Sequence, residues 1–417
     1  MPSRLYAAYG CVSVHSTKGV RLPSNRKKII LLRRRKRHAQ PSQEVYMPTA
    51  LVNVFDNMCS FESLYKSYDN ARSKKNYRLE VMRFTTDLEP NLFEIQRKLL
   101  SGEYQISGYR VFFIYDPKLR MVMAVQFPDR IVQWAVYDTL YSFYDKTFIE
   151  DSYACRRGKG THKAADRLQY WLRQVNRKSD KWYYLKLDIS KYFYRISHEI
   201  LLNIVSRRVK DERLLDLIAK IISSNGMHFG IPRGLDPGMC TEDMRLEDTG
   251  IPIGNLTSQL FANIYLNELD QYCKHTLHVH YYVRYMDDVI ILSNDKKHLQ
   301  ELKNKIESFL NTELQLDLNK KTAIRPVSCG VDFVGYKMWP EYRKLKKSSA
   351  RRIIRKVKTL SADYALGKIS FEDIRRRIAS YNGILQHANS YGLRQKIDAM
   401  FIERTGRPAP WPKRKGG

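Results

Sequence analysis

The stretch RYMDDVIIL, residues 284–292, sets two adjacent carboxylates, Asp287 and Asp288, inside an otherwise apolar, strand-like run. Two neighbouring acids in such a setting cost repulsion and desolvation unless something positive lies against them. The flanks "VHYYVRY" and "VIILSN" are β-branched and aromatic and read as two strands, so Met286, Asp287 and Asp288 fall at or near a hairpin turn.

Successive strand residues point to opposite faces, so adjacent acids converge on one point only where the chain bends. The simplest group to offset their repulsion is a divalent metal. Mg²⁺ takes a few carboxylate oxygens and keeps other positions for water and phosphate. A further ligand is expected from another strand, and "YLKLDIS" offers Asp188, 99 residues before Asp287. One acid on one strand and a pair on a hairpin suit two-metal phosphoryl transfer: one ion lowers the pKa of an attacking hydroxyl, and the other stabilises the leaving oxygen. An Asp-Asp pair on a surface turn is often no more than solvated; the apolar flanks and the second acidic strand favour metal.

The rest of the chain narrows the partner. Its 417 residues hold 73 Lys and Arg against 43 Asp and Glu, a formal net charge of +30, with 43% hydrophobic residues. This is a folded protein whose field suits a polyanion. No apolar run approaches the roughly 18 residues that span a bilayer, so nucleic acid is favoured over membrane. The six cysteines form no C-x-x-C pair, and they read as reduced thiols of a cytoplasmic protein.

Residues 1–43 carry eleven Lys or Arg and no acid. A nucleic-acid-binding arm, a targeting peptide and residues translated from an upstream start all fit that composition. Residues 1–46 are therefore expected to be a basic, flexible extension. The 3–4 spacing of Phe61, Leu64, Tyr65 and Tyr68, and of Leu92, Ile95, Leu99 and Leu100, predicts helices between 54 and 100. Residues 109–127 read as strand, turn and strand about Asp116-Pro117; residues 129–145 and 258–275 as helices; 182–193 as beginning with a strand; and the chain after Pro340 as basic and helical.

These segments resemble the reverse transcriptases. "YMDD" between apolar strands is similar to their catalytic hairpin, and "LKLDISKYF" (185–193) to their first catalytic strand. Five further blocks follow in the family's order: "PKLRMVMAVQFPDRIVQWAV" (117–136), "SYACRRGKGTHKA" (152–164), "GIPIGNLTSQLFANIYLNELD" (250–270), "LNKKTAI" (318–324) and "VDFVGYKMWP" (331–340). Relatives of the group II intron type mostly carry Pro-Gln-Gly and Ser-Pro in the third of these. This chain has Ile253 before Gly254, and Gln259 after Ser258. That form resembles the enzymes of diversity-generating retroelements, which copy a template RNA with errors at adenines. An Ile in place of an amide removes a hydrogen-bonding group near the incoming nucleotide, which would weaken geometry checking there.

The resemblance implies an α/β (α+β) right-hand polymerase: fingers with part of the palm at 47–180, an antiparallel-sheet palm at 181–340 and a small helical thumb at 341–417. It implies Asp188, Asp287 and Asp288, with the Ile189 carbonyl, as ligands of two Mg²⁺ ions, Mn²⁺ being a possible substitute. Phe193 would exclude a ribose 2′-hydroxyl, although without the resemblance it reads as a core aromatic. Arg120, more weakly Lys118, would grip the triphosphate. Ile253, Gly254 and Gln259 would line the nucleotide site, Gly254 by letting backbone approach closely, while Ser258 is as readily a helix cap. Lys321 would protonate pyrophosphate, or be a solvated lysine. Arg130 reads equally as a structural ion pair.

Met286 would touch the primer end and Tyr285 support the hairpin. Arg156 and Arg157 are candidates for primer–template contact. So are Arg351, Arg352, Arg355 and Lys356, opposite a buried stripe of Ile353, Ile354, Val357 and Leu360. The implied partners are template RNA, the RNA–cDNA duplex, deoxynucleoside triphosphates and a small basic helical-bundle accessory protein. With 77 residues after Pro340, a thumb is expected there without a ribonuclease H or endonuclease domain. An antiviral-defence enzyme, an intron-type enzyme and a catalytically silent RNA-binding scaffold stand as alternatives.

Overall fold

A computed structural model describes residues 50–115 and 120–412, without the side chain of Asn225. The basic extension and the Asp116-Pro117 turn lie outside the described residues. The compact unit containing the rest begins at Thr49.

Four helices open it: α1 (Phe55–Met58), α2 (Phe61–Arg72), α3 (Leu79–Thr86) and α4 (Leu88–Leu100). Ser60 starts α2, its hydroxyl accepting the Ser63 N–H at 3.3 Å. The spaced apolar residues face inward as expected, with Leu64, Tyr68, Leu92, Ile95 and Leu99 buried, but Tyr65 and Leu100 are exposed. A two-stranded hairpin follows, β1 (Tyr109–Ile114) and β2 (Arg120–Val125), then α5 (Phe127–Tyr144) and α6 (Thr161–Asn176). Pro128 in the first turn of α5 is tolerated because no helical partner awaits its missing N–H.

The central sheet gathers β3 (Tyr183–Asp188), β4 (Tyr282–Tyr285), β5 (Asp288–Ser293) and β6 (Ala323–Pro326) in the order β4-β5-β3-β6, every neighbour antiparallel. Between β3 and β4 come α7 (His198–Ser206), α8 (Glu212–Ser223) and α9 (Leu256–Gln271); α10 (Lys296–Glu313) joins β5 to β6. Strand alternation divides the sheet's side chains between two cores. Leu185, Leu187, Val289 and Ile291 join the large core shared with α5, α9 and α10. Tyr184, Val283, Ile290 and Leu292 face the other way, onto Ala164, Leu168 and Leu172 of α6.

The block at 331–340 and the residues after it form a small sheet, β7 (Val331–Phe333), β8 (Tyr336–Met338) and β9 (Arg343–Leu345), completing that second core. Here the expectation of helix directly after Pro340 fails. The Trp339 N–H donates to Tyr342 O at 2.8 Å, turning the chain back, so that Arg343–Leu345 pairs with β8. Helix begins only with α11 (Lys347–Ala365), followed by α12 (Phe371–Leu385) and α13 (Tyr391–Thr405). These three enclose their own core of Ile353, Val357, Ile374, Ile378, Ile397 and Phe401. Ser258 is not a cap either: α9 starts after Asn255, and Ser258 is buried in its first turn. Among the described residues no helix is long and apolar enough to cross a membrane, and their five cysteines are free.

Candidate active site

The register of the central sheet brings the acids together. Tyr285 pairs with Asp288, so Met286 and Asp287 form a two-residue turn, and Asp188 lies directly across the ladder from Asp288. Met286 takes the left-handed conformation, φ 53°, that such a turn demands and that a side chain resists. The Asp287 carbonyl accepts the Ile189 N–H at 3.4 Å. Like charges directly opposite one another, here Asp188 and Asp288, destabilise a strand pair, and the carboxyl of Asp287 lies in the turn beside them. Burial, joined by the charges of Asp288 and Asp188, raises it to about 6, against the tempering effect of its own amide N–H.

The positive group beside the pair is Lys186. Its Nζ lies 2.7 Å from Asp288 Oδ1 and donates to the Asp332 carbonyl at 3.0 Å. Lys186 stands two residues before Asp188, hence on the same face, within reach of the acid across the ladder. The expectation that a divalent metal alone offsets the acidic pair is thus amended: Asp288 is engaged by a lysine, and burial still raises its carboxyl. Among the described residues no three His, Cys, Asp or Glu side chains gather into a ready metal cage. The donor set nonetheless fits a hard cation. Asp188 and Asp287 are partly buried oxygen donors close enough to repel, and a divalent ion would relieve that repulsion.

Beside the acids the β1–β2 hairpin docks on the loop before α9. The Met123 N–H donates to Ile253 O at 2.9 Å, and the Asn255 amide to the Tyr109 hydroxyl at 3.1 Å. Phe193 and Ile253, both partly buried, pack on one small cluster of Met121, Met123, Tyr194, Phe229 and Ile231. Gly254 has φ 130°, and a Cβ there would lie 2.6 Å from the Met123 carbonyl oxygen. The close approach that its missing side chain permits in this structure is to the hairpin. Arg120, exposed at the start of β2, is near enough for its charge to lower the Asp287 carboxyl. Lys118 lies outside the described residues. Gln259 is exposed on α9 and not part of the cluster. Lys321 is exposed in a turn held to the acid strand, Asn319 N–H donating to Asp188 O at 2.7 Å and Asp188 N–H to Thr322 Oγ1 at 3.4 Å. Ile189 is buried; Tyr285 and Met286 are partly buried at the hairpin.

One candidate is committed elsewhere. Arg156 has a buried side chain that pairs with Asp145 at 2.6 Å and donates to the carbonyls of Asp145, Ile149 and Ser152, so it braces the 145–152 segment rather than reaching nucleic acid. Arg157 pairs with Asp138 at 2.8 Å and lies over the Tyr141 ring. Arg157 nonetheless keeps 64% of its side chain exposed, so this surface pair leaves it open to solvent. Arg130 is the ion pair anticipated, with Glu80 at 2.8 Å. On α11, Arg351, Arg355 and Lys356 are exposed and Arg352 half-exposed, opposite buried Ile353, Val357 and Leu360, with Ile354 partly buried.

The sequence reading passed over Lys186 and the arginine of the opening stretch. Arg284 is fully buried, its Nε and Nη2 on the two Asp270 oxygens at 2.7 and 2.6 Å. The signal was present: an arginine inside an apolar strand must find a buried acid, and Asp270 ends the apolar run of α9.

Residues 116–338 match the family described as Reverse transcriptase (RNA-dependent DNA polymerase). Fold, motif order and match agree: the chain belongs to the reverse transcriptase family and has its right-hand polymerase fold. It is 27% identical to Protein YkfC of Escherichia coli, over 62% of this chain and 73% of that one. It is 24% identical to the group II intron-encoded protein LtrA of Lactococcus lactis, over 65% of this chain and 54% of LtrA. A putative COX1/OXI3 intron 2 protein of Saccharomyces cerevisiae is 22% identical over 72% of this chain and 41% of that protein. The chain thus spans about half the length of these two intron proteins.

Proposed function

We propose that this chain is an RNA-directed DNA polymerase that adds deoxynucleotides to a primer 3′-hydroxyl opposite template RNA. The observation that carries the reading is the meeting of Asp188, Asp287 and Asp288 at one end of the central sheet. Asp188 and Asp287, with the Ile189 carbonyl, would hold Mg²⁺, with Mn²⁺ as a substitute. When bound, such ions lower the pKa of the primer hydroxyl and stabilise charge on the leaving phosphate. Lys186 holds Asp288 as a neighbouring, already compensated charge. Arg120 is placed to grip the triphosphate oxygens with its guanidinium fork. Phe193 bars the 2′-hydroxyl, and Lys321 delivers a proton to pyrophosphate. Met286 and Tyr285 meet the primer end, while the exposed cations of α11 follow the duplex backbone. Asp188→Asn or Asp287→Asn is expected to cost several powers of ten in primer extension while RNA binding in filter titrations stays nearly intact. Extension that survives both changes overturns the site.

Within the family we favour the diversity-generating retroelement type, error-prone at template adenines and working with a structured template RNA and a small basic accessory protein. Its support is Ile253 in "IGNLTSQ", an apolar side chain packed toward Phe193 where relatives present an amide. Ile253→Gln should lower misincorporation about ten- to hundredfold opposite adenine, because a misplaced base would leave the amide unsatisfied. Single-nucleotide insertion kinetics measure it, and an unchanged error spectrum removes Ile253 from the argument. The match to LtrA favours a second reading, an intron-type enzyme; a neighbouring near-repeat differing only at adenines separates the two.

A further inference from the structure

The catalytic hairpin stands on a buried charge network. Arg284 and Asp270 are both fully buried and joined by two parallel hydrogen bonds. The Tyr282 hydroxyl donates to Asp270 Oδ1 at 2.6 Å. The remaining guanidinium nitrogen of Arg284, Nη1, donates to Asn263 Oδ1 at 3.3 Å and to the Met286 carbonyl at 3.2 Å. Asn263 in turn donates to the Ala154 carbonyl at 2.8 Å. The Arg284 backbone is tied as well: its N–H donates to Asp151 O at 2.9 Å, and its carbonyl accepts the Tyr153 N–H at 3.0 Å. One residue, by its side chain and its backbone, thus links α9, the 151–154 segment and the turn that carries Asp287.

That third link is not needed for the ion pair. Asp270 already satisfies one edge of the guanidinium, and a buried pair of this kind is no more stabilising than apolar side chains of the same volume. What Arg284 adds is a charged donor on the carbonyl of Met286, the residue held at φ 53°. A left-handed non-glycine residue persists only where its surroundings over-determine it. The next carbonyl, that of Asp287, is held from the opposite strand by the Ile189 N–H.

We propose that Arg284, oriented by Asp270, is a positioning residue for the polymerase reaction. By anchoring the Met286 carbonyl it holds the strained turn in the one conformation that presents the Asp287 carboxylate beside Asp188. The inference rests on the polymerase reading above for its consequence, and on the network alone for its mechanics. Arg284 itself touches neither substrate nor the reacting atoms.

The test is the double variant Arg284→Met/Asp270→Leu in the full chain, which removes both charges together and so avoids leaving one buried alone. It is compared with the parent for thermal unfolding, affinity for a template RNA, kcat and KM in primer extension, and hydrogen–deuterium exchange of the 283–290 backbone. The expected result is a folded protein that binds RNA within about threefold of the parent, since phosphate contacts lie elsewhere. Exchange across 283–290 is faster, the KM for deoxynucleotide is little changed, and kcat is about ten- to hundredfold lower, the scale of a misplaced reacting group. A folded variant with parental exchange across the turn, or with a loosened turn and parental kcat, overturns the proposal. An inactive parent counts against the polymerase reading instead, and the exchange measurement then decides the positioning role alone. If the double variant does not fold, Arg284→Lys carries the same readouts, because it keeps a charge opposite Asp270 but loses the fork that spans Asp270 and Met286. Parental exchange and kcat in that variant likewise overturn the proposal.

Discussion

Replacing Gly254 by alanine tests how the hairpin carrying Arg120 is seated against the acids. Two costs arise from the geometry. At φ 130° any side chain strains the backbone, by about 1–3 kcal/mol. The new Cβ would also stand 2.6 Å from Met123 O and 3.1 Å from Val122 Cγ1, and the nearer atom is backbone, which cannot rotate aside. Relief to an ordinary contact needs a withdrawal of about 0.8 Å, which stretches the Met123–Ile253 hydrogen bond and forfeits about 1 kcal/mol more. The sum, about 2–4 kcal/mol, falls on the seam between hairpin and loop rather than on the large core. The expected outcome is faster amide exchange in β1 and β2. The KM for deoxynucleotide should rise at least about tenfold as Arg120 retreats, with RNA affinity nearly unchanged. Gly335→Ala serves as the control, since its φ of 88° imposes strain but no atom lies within 4 Å of a Cβ there. If Gly254→Ala keeps a parental KM and parental exchange in the hairpin, the seam does not place Arg120 and the argument fails.

Two further outcomes follow from the acids. The Asp287 carboxyl lies near 6 in the folded protein against 3.8 ordinarily, so the native state holds extra protons between these values and loses stability as pH rises through them. Asp287→Asn should therefore melt above the parent from pH 6 upward, with the gap closing toward pH 4 and narrowing when Mg²⁺ is added; thermal scans with and without chelator measure it, and a gap indifferent to pH refutes the crowding. Lys186→Met and Asp288→Asn should couple by about 1 kcal/mol in a double-mutant cycle, a modest value because both side chains are partly exposed, whereas strict additivity would dissolve the pair.

Much of this was legible from one hairpin. The β-branched and aromatic content of "VHYYVRY" and "VIILSN" read as two strands and a turn, and the apolar strand ending at Asp188 supplied its neighbour, because such side chains fit a buried pleated surface. Side-chain pairing across distant segments was not legible. Whether Arg156 faced nucleic acid or Asp145, and whether Lys186 met Asp288, depends on register and on which acid lies nearest in space. Gly254 showed the same limit: its freedom was foreseeable, but the surface pressed against it was not. The strand after Pro340 escaped notice because three residues are too few to show a period.

The acids set face to face at the end of the central sheet have a bearing on how this chain can be engineered. A library screened for heat resistance or expression will tend to collect neutral replacements at Asp287, in the turn beside that pair, since each removes a buried and crowded charge that the folded state would otherwise carry. Such winners would be well-behaved and inert. Selection for a sturdier enzyme must therefore be coupled to product formation at every round, or be confined to positions remote from the turn, such as the separate core of the C-terminal helices.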